Sequence, residues 1–275
     1  MRNERCVNRL RRSVLALFAL LAVCLLAGCS KHRDKIDLSE YEETEAATEA
    51  EETEAATETT KAVTATTAAE KTTTGSGGVT ATIKTYSSGK VAIQYPVISG
   101  LPSSADTDAV NDKLRTNAIA IIEGWDLDEE KDAVEVSCEV LAASRNRVTA
   151  VYTGTVTTDA SSYAVNVFFS NTIDVSKVED VSLSDFADPY TLAGYVLSDD
   201  CTFYNADGQT SGLMEAKNDK TLKQYQSLFE AADFPVSKTF PECFSYEYEG
   251  TIFFSIPVSH ALGDYAIVAY TPETK

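Results

Sequence analysis

The sequence predicts an α+β protein: antiparallel sheet with helices packed on one face, arranged as two intimately packed halves behind an export signal and an acidic tether. Three observations lead there. Residues 79–275 contain several runs of alternating apolar and polar residues, the period of half-buried strands. Between them lie a few segments with apolar residues at helical spacing. Ahead of them, Glu42 to Glu58 spells the octapeptide EETEAATE twice with one Ala between, a composition with nothing to bury.

Arg2, Arg5, Arg9, Arg11 and Arg12 precede the apolar run Val14 to Ala27, a basic n-region followed by an h-region. As a helix, that run would reach only about 21 Å, short of the ~30 Å hydrocarbon core, so it is read as a signal and not as a span. Leu26-Ala27-Gly28-Cys29 resembles the bacterial lipobox, whose Cys carries a diacylglyceryl group. The expected boundaries are a signal peptide over 1–28 and lipid attachment at Cys29. Two acyl chains suffice for stable anchoring, which places the mature protein on the outer face of the bacterial cytoplasmic membrane, an outer membrane being the open alternative. Cys6 and Cys24 leave with the signal.

Residues 29–78 form the expected tether. From Ser30 to Gly78 there are five Lys/Arg against twelve Asp/Glu, and large apolar side chains are almost absent after Tyr41. Such a chain cannot offset the entropy of ordering. As a coil of this length it reaches roughly 35 to 42 Å, more with carboxylate repulsion. Gly75-Ser76-Gly77-Gly78 is expected to be a flexible joint.

The domain over 79–275 is expected to divide at about 79–175 and 176–275. Its formal charge is −16, the remainder of the chain's −19 once the basic signal and acidic tether are set aside. That charge argues against nucleic acid and favours a cationic partner or none. Its elements follow in order. Val79 to Pro96 reads as a hairpin with turn chemistry at Ser88-Gly89. Asp106 or Ser104 caps a helix bearing Val110, Leu114, Ala118, Ile121 and Ile122, ending near Gly124. Val134, Val136, Cys138 and Val140 alternate with polar residues, and Val148 to Val156 and Tyr163 to Ile173 extend an antiparallel meander. Asp188-Pro189 pairs an N-cap with Pro at the first helical position. A second helix is expected over Leu213 to Ala232. Glu249-Gly250 suits a two-residue turn between the last hairpin's strands, and the strand at Asp264 to Thr271 is expected to pair back into the sheet.

Ile93-Gln94-Tyr95-Pro96-Val97-Ile98-Ser99-Gly100-Leu101 with Val110-Asn111, then Val181-Ser182-Leu183-Ser184-Asp185-Phe186, Tyr248-Glu249-Gly250-Thr251-Ile252-Phe253-Phe254 and Ala261-Leu262-Gly263 resemble, in that order, the extracytoplasmic domain of RsiV-like anti-sigma factors. The same module stands N-terminal to PdaC-like peptidoglycan deacetylases. The resemblance implies an α+β ligand-binding module without catalysis of its own, which in the anti-sigma members senses lysozyme. Two departures matter. Only thirteen residues precede the h-region, too few for the cytoplasmic part of an anti-sigma factor. A deacetylase needs several metal-binding His and Asp residues, whereas His260 is the one His in the domain.

The remaining chemistry is sparse. Ser259 and His260, adjacent on an expected strand, would point to opposite faces, and no G-x-S-x-G elbow is present. Asp126 to Asp132 has the alternating carboxylates of a calcium loop, but Lys131 stands at the required Gly and Ser137 at the bidentate Glu, so it is read as a solvated loop. Asn205-Ala206-Asp207-Gly208 is turn chemistry, and Asp199-Asp200 cannot converge on one substrate. No catalytic residue, metal site or cofactor is assigned, and no ligand-binding residue is identified. Cys138 reads as a core residue. Cys201 and Cys243, near element ends, are the preferred pair if any disulfide forms, an anaerobic habitat leaving both reduced. The leading expectation is a surface-displayed binding or sensing lipoprotein for a cationic, lysozyme-like protein or a cell-wall fragment. A carboxylate-dependent peptidoglycan hydrolase and a structural envelope component are the alternatives.

Overall fold

The computed structural model describes residues 72–272 apart from 162, 207, 237 and 238. The signal segment, Cys29 and the Glu-rich repeat lie outside the described residues, so the anchoring expected at Cys29 does too.

Seven strands form the first sheet in sequence order: β1 Thr72–Thr74, β2 Thr80–Ser88, β3 Val91–Ser99, β4 Ala133–Ala143, β5 Arg147–Thr157, β6 Val165–Asp174 and β7 Glu179–Asp180. Every neighbouring pair is antiparallel except β3 and β4, which run parallel over Val91↔Val134 to Ile93↔Val136. A parallel joint needs a crossover longer than a hairpin. Helix α1, Ser104–Gly124, supplies it. Its Val110, Leu114, Ala118 and Ile121 are fully buried, the side of the helix that the 3.6-residue spacing marks as apolar. The N-cap is Ser103, whose Oγ accepts from Asp106 N at 3.2 Å; the expected cap, Asp106 or Ser104, is one to three residues inside the helix, Asp106 serving its first turn.

Two further expectations are corrected at this end. The tether does not run to Gly78: Thr72–Thr74 pair with Thr80–Thr82 as an edge strand, as β-branched side chains favour. Gly75 is likewise not a free joint. Its N–H donates to Val79 O at 2.9 Å, and a Cβ there would lie 2.0 Å from Ala143 O. The β2–β3 turn is formed by Gly89 and Lys90, since Ser88 still pairs with Val91.

The second sheet has four strands, β8 Thr202–Tyr204, β9 Ser245–Tyr248, β10 Thr251–Pro257 and β11 Tyr265–Tyr270, in the order β8-β11-β10-β9. Helices α2 Leu183–Phe186, α3 Pro189–Leu197, α4 Thr210–Ala216 and α5 Leu222–Glu230 cover one face. There Leu192, Val196, Tyr225 and Phe229 pack with Ile252, Phe254, Ile256 and Val268. Asp188 caps α3 through Thr191 N at 2.8 Å, with Pro189 at the first turn, as its residues predict.

The fold is thus α+β with helices segregated to one face of each sheet, but the closing strands build a sheet of their own instead of extending the first. The expected long helix over Leu213 to Ala232 is also broken. A 3₁₀ turn at Lys217–Asp219 ends α4, and Thr221 with Gln224 forms a reciprocal capping box that starts α5. That pair satisfies free helix-end donors locally, which favours a new start over continuation. Lys217 is buried, with Nζ donating to Ser198 O.

Candidate functional site

The uncovered face of the second sheet is turned toward the first. Its construction begins at the β9–β10 turn. Glu249 and Gly250 both have positive φ, 51° and 80°, the geometry that matches hairpin twist. This sets Tyr246 opposite Phe253 and Tyr248 opposite Thr251. Period two then sends Tyr246, Tyr248 and Phe253 away from the helices while Ile252 and Phe254 face them. The Tyr246 and Phe253 rings stack at 4.9 Å, and Tyr204, from β8, meets Phe253 edge-on at 5.0 Å. From β6 of the first sheet, Phe168 lies 5.4 Å from Tyr265 and 6.4 Å from Tyr246. The result is a continuous aromatic band along the floor of a cleft.

The cleft has a volume of about 670 Å³, within the range of small-ligand sites. Leu141, Val151 and Phe168 form its apolar wall on the first sheet, with Glu139, Thr153 and Asn166 around them; Asn205 and Gln209 add amides on the opposite side. Tyr204 and Tyr248 remain 45% and 43% exposed, so their ring faces are open to a ligand. Glu139 is the one carboxylate among the described lining residues, and no Lys, Arg or His is among them. Burial pushes the Tyr246 phenol up to about 12, with neighbouring Tyr204 and Glu139 adding to the effect, and burial also raises Tyr265. These two phenols therefore stay neutral at physiological pH and offer the cleft hydroxyl donors and apolar rings.

Polar contacts between the sheets hold the cleft open. Ser170 Oγ donates to Ser245 O at 2.7 Å, and Arg147 pairs with Glu247 at 2.9 Å. Asp264 Oδ2 accepts from Asn166 N and Nδ2 at 2.8 and 3.1 Å, while its Oδ1 lies 2.9 Å from His260 Nδ1. His260 is not on a strand, as expected, but in a 3₁₀ turn, His260–Leu262, that follows Ser259. Its ring rests against Tyr163 at 4.3 Å. The imidazole lies outside the cleft lining, largely exposed, and has no hydroxyl nucleophile aligned with it among the described hydrogen bonds.

Cys201 and Cys243 do not pair; both are free and buried. Cys201 immediately precedes β8 and Cys243 lies just before β9, the two outer strands of the second sheet. Three inter-strand steps separate them by about 14 Å, twice the Cα separation a disulfide spans, and the two strands start at opposite ends of the sheet. Burial pushes the Cys201 thiol up to about 11 and Cys243 well above its ordinary value. Cys138 sits opposite Tyr152 in the β4–β5 ladder, a core position as expected, and is pushed up to about 12 by burial.

In the acidic loop, Asp132 is buried and organises the chain: its carboxylate accepts from Asp128 N at 2.8 Å and Asp159 N at 2.7 Å. Asp128 is exposed and pairs with Lys131. Asp199 and Asp200 are exposed at the entry to β8. No cluster of three metal-ligating side chains occurs among the described residues.

Sequence reading missed two features. One is the cleft, whose signal was present as the Tyr246, Tyr248 and Phe253 alternation across a two-residue turn. The other is Asp233, a fully enclosed carboxyl that accepts from Ser245 N and Oγ at 2.6 Å each and from Leu183 N at 2.8 Å. Burial pushes it up to about 7 against the pull of those donors, and nearby Asp180 adds to the rise.

No family model matches the sequence, and no curated protein matches it. Solved structures similar to this chain include two of the DUF3298 family. One, a member of the DUF3298 family from Bacteroides fragilis NCTC 9343, shares 11% identity at a TM-score of 0.39, covering 72% of this chain and 91% of that one. The other, a DUF3298 family protein from Pseudomonas aeruginosa PAO1, shares 7% at 0.33, covering 64% and 81%. No described helix is long and apolar enough to cross a membrane.

Proposed function

We propose that this chain is a lipid-anchored extracytoplasmic binding or sensing protein, attached through Cys29 and presenting its domain on the acidic tether to a cationic, lysozyme-like protein or a cell-wall fragment. The observation that carries the reading is the preformed aromatic cleft with two open tyrosine faces and a single carboxylate on its rim. Apolar floor and sparse polar rim are what a recognition site requires. The peptidoglycan-hydrolase alternative requires two carboxyl groups flanking one bond, about 5 to 9.5 Å apart; the described cleft lining contributes only Glu139. A structural envelope component needs no cleft of this kind.

The test is a pull-down from native cell-wall digest and with a lysozyme-type protein, using the wild type and a Tyr204→Ala, Tyr248→Ala double variant. Retention by the wild type and its loss in the variant supports the reading. Equal recovery by both, or none by either, removes it. Mass spectrometry of the mature N-terminal peptide tests the anchor, where an unmodified Cys29 would end that part.

A further inference from the structure

The chemistry of the cleft also selects among ligands. We infer that it seats an extended basic peptide segment, with Lys or Arg side chains over the tyrosine rings; this rests on the cleft being the ligand site.

Three observations converge. The floor is an aromatic band whose π-faces carry partial negative charge, and a cation placed over such a face is attracted to it. Glu139 adds a full negative charge at the rim, close enough to influence Tyr246. No described lining residue is cationic, so a phosphate or carboxylate ligand would meet hydroxyl and amide donors but no opposite charge there. A neutral glycan could stack on Tyr204 and Tyr248 and donate hydroxyls to Glu139, but it would draw no charge attraction from Glu139 or from the domain's −16 charge.

The shape agrees. Asn166, Asn205 and Gln209 lie along both sides of the cleft, and amides both donate to and accept from a peptide backbone. The aliphatic stems of Lys and Arg cover apolar surface while their heads stay polar. Leu141 and Val151 provide that surface beside the rings. In an extended segment alternate side chains share one face, so basic residues at every second position would all meet the aromatic floor. The surrounding negative field would speed encounter, and the cleft would hold what arrives.

The experiment uses the full chain and a short labelled peptide alternating Arg and Gly, read by fluorescence anisotropy at low and physiological salt, with a Glu/Gly peptide and chitotriose as controls. The expected result is binding of the Arg/Gly peptide alone at physiological salt, where the Debye length is about 8 Å and diffuse attraction is damped. Tyr204→Ala and Tyr248→Ala should each weaken it about three- to tenfold, whereas Tyr204→Phe, which keeps the ring, retains most of the affinity. Glu139→Gln should weaken it more than Asp112→Asn, the same charge change on an exposed α1 position away from the cleft. Both tyrosines are exposed, so their truncation leaves the core intact; urea unfolding of each variant checks this.

Peptide affinity indifferent to the tyrosines, or equally sensitive to Asp112 and Glu139, overturns the inference in favour of a diffuse field. Chitotriose binding that depends on Tyr204 without peptide binding overturns the ligand class and leaves the cleft as a site. If neither probe responds to the tyrosines, the cleft reading falls as well.

Discussion

Replacing Asp233 with Asn removes a carboxyl that three donors surround and no cation among the described residues balances. Its folded pKa is about 7 against an ordinary 3.8. The sign follows from which state holds the proton. Between about pH 4 and 7 the folded protein keeps a proton that the unfolded chain has released, so stability falls as pH rises through that window and levels off above it. A shift of about three units, at 1.36 kcal/mol each, is worth about 4 kcal/mol over the whole window. In Asp233→Asn that dependence is absent. The variant carries a fixed cost instead: one of its two former oxygens becomes an NH2 group facing the backbone N–H of Ser245 or Leu183, which costs about 1 to 3 kcal/mol. Urea unfolding followed by circular dichroism, at intervals from pH 4.5 to 8, measures both. The variant is expected to be the weaker at pH 4.5 and to gain about 3 kcal/mol on the wild type by pH 7.5, enough to equal or exceed it there. Taking the difference between the two proteins cancels Asp128 and Asp174, which hydrogen bonds hold below the usual carboxylate range. Parallel pH profiles would refute the reasoning, because they would show that Asp233 titrates alike folded and unfolded.

Two further outcomes are expected. Gly154→Ala on β5 would place a Cβ 2.0 Å from Glu135 O and 2.7 Å from Val136 Cα; both neighbours are backbone in a paired strand, so the variant should lose about 2 kcal/mol or more of stability, and an unchanged urea midpoint would contradict the β4–β5 packing. Cys138, Cys201 and Cys243 should label with a thiol reagent only after denaturation, and equally with or without prior reduction, since buried thiols of raised pKa are unreactive; labelling that requires reductant would restore the disulfide.

Much of the secondary structure was legible because it is written in local rules. Asp188-Pro189 starts a helix by a side-chain cap and a preset φ, both decided within four residues. Glu249-Gly250 closes a hairpin because both positions take positive φ. Val134, Val136 and Cys138 face the core because a strand alternates. Where local rules competed, the reading went astray: apolar spacing suggested one helix over Leu213 to Ala232, while the Thr221 and Gln224 capping box, equally local, divided it. Thr72–Thr74 carried strand propensity, yet in a Thr-rich acidic context nothing local announced that β2 would take them as an edge.

The sequence by itself determined which residues prefer strand or helix, which face of each is apolar, the acidic charge of the domain, and the basic, apolar and lipobox-like order of its first twenty-nine residues. Only the tertiary structure decided that the closing strands form a second sheet, that Cys201 and Cys243 flank its opposite edges, and that Tyr204, Tyr246, Phe253 and Phe168 meet. Periodicity specifies a face but not its partner. The partner is chosen by how two sheets distant in sequence pack, and the cleft exists only between them.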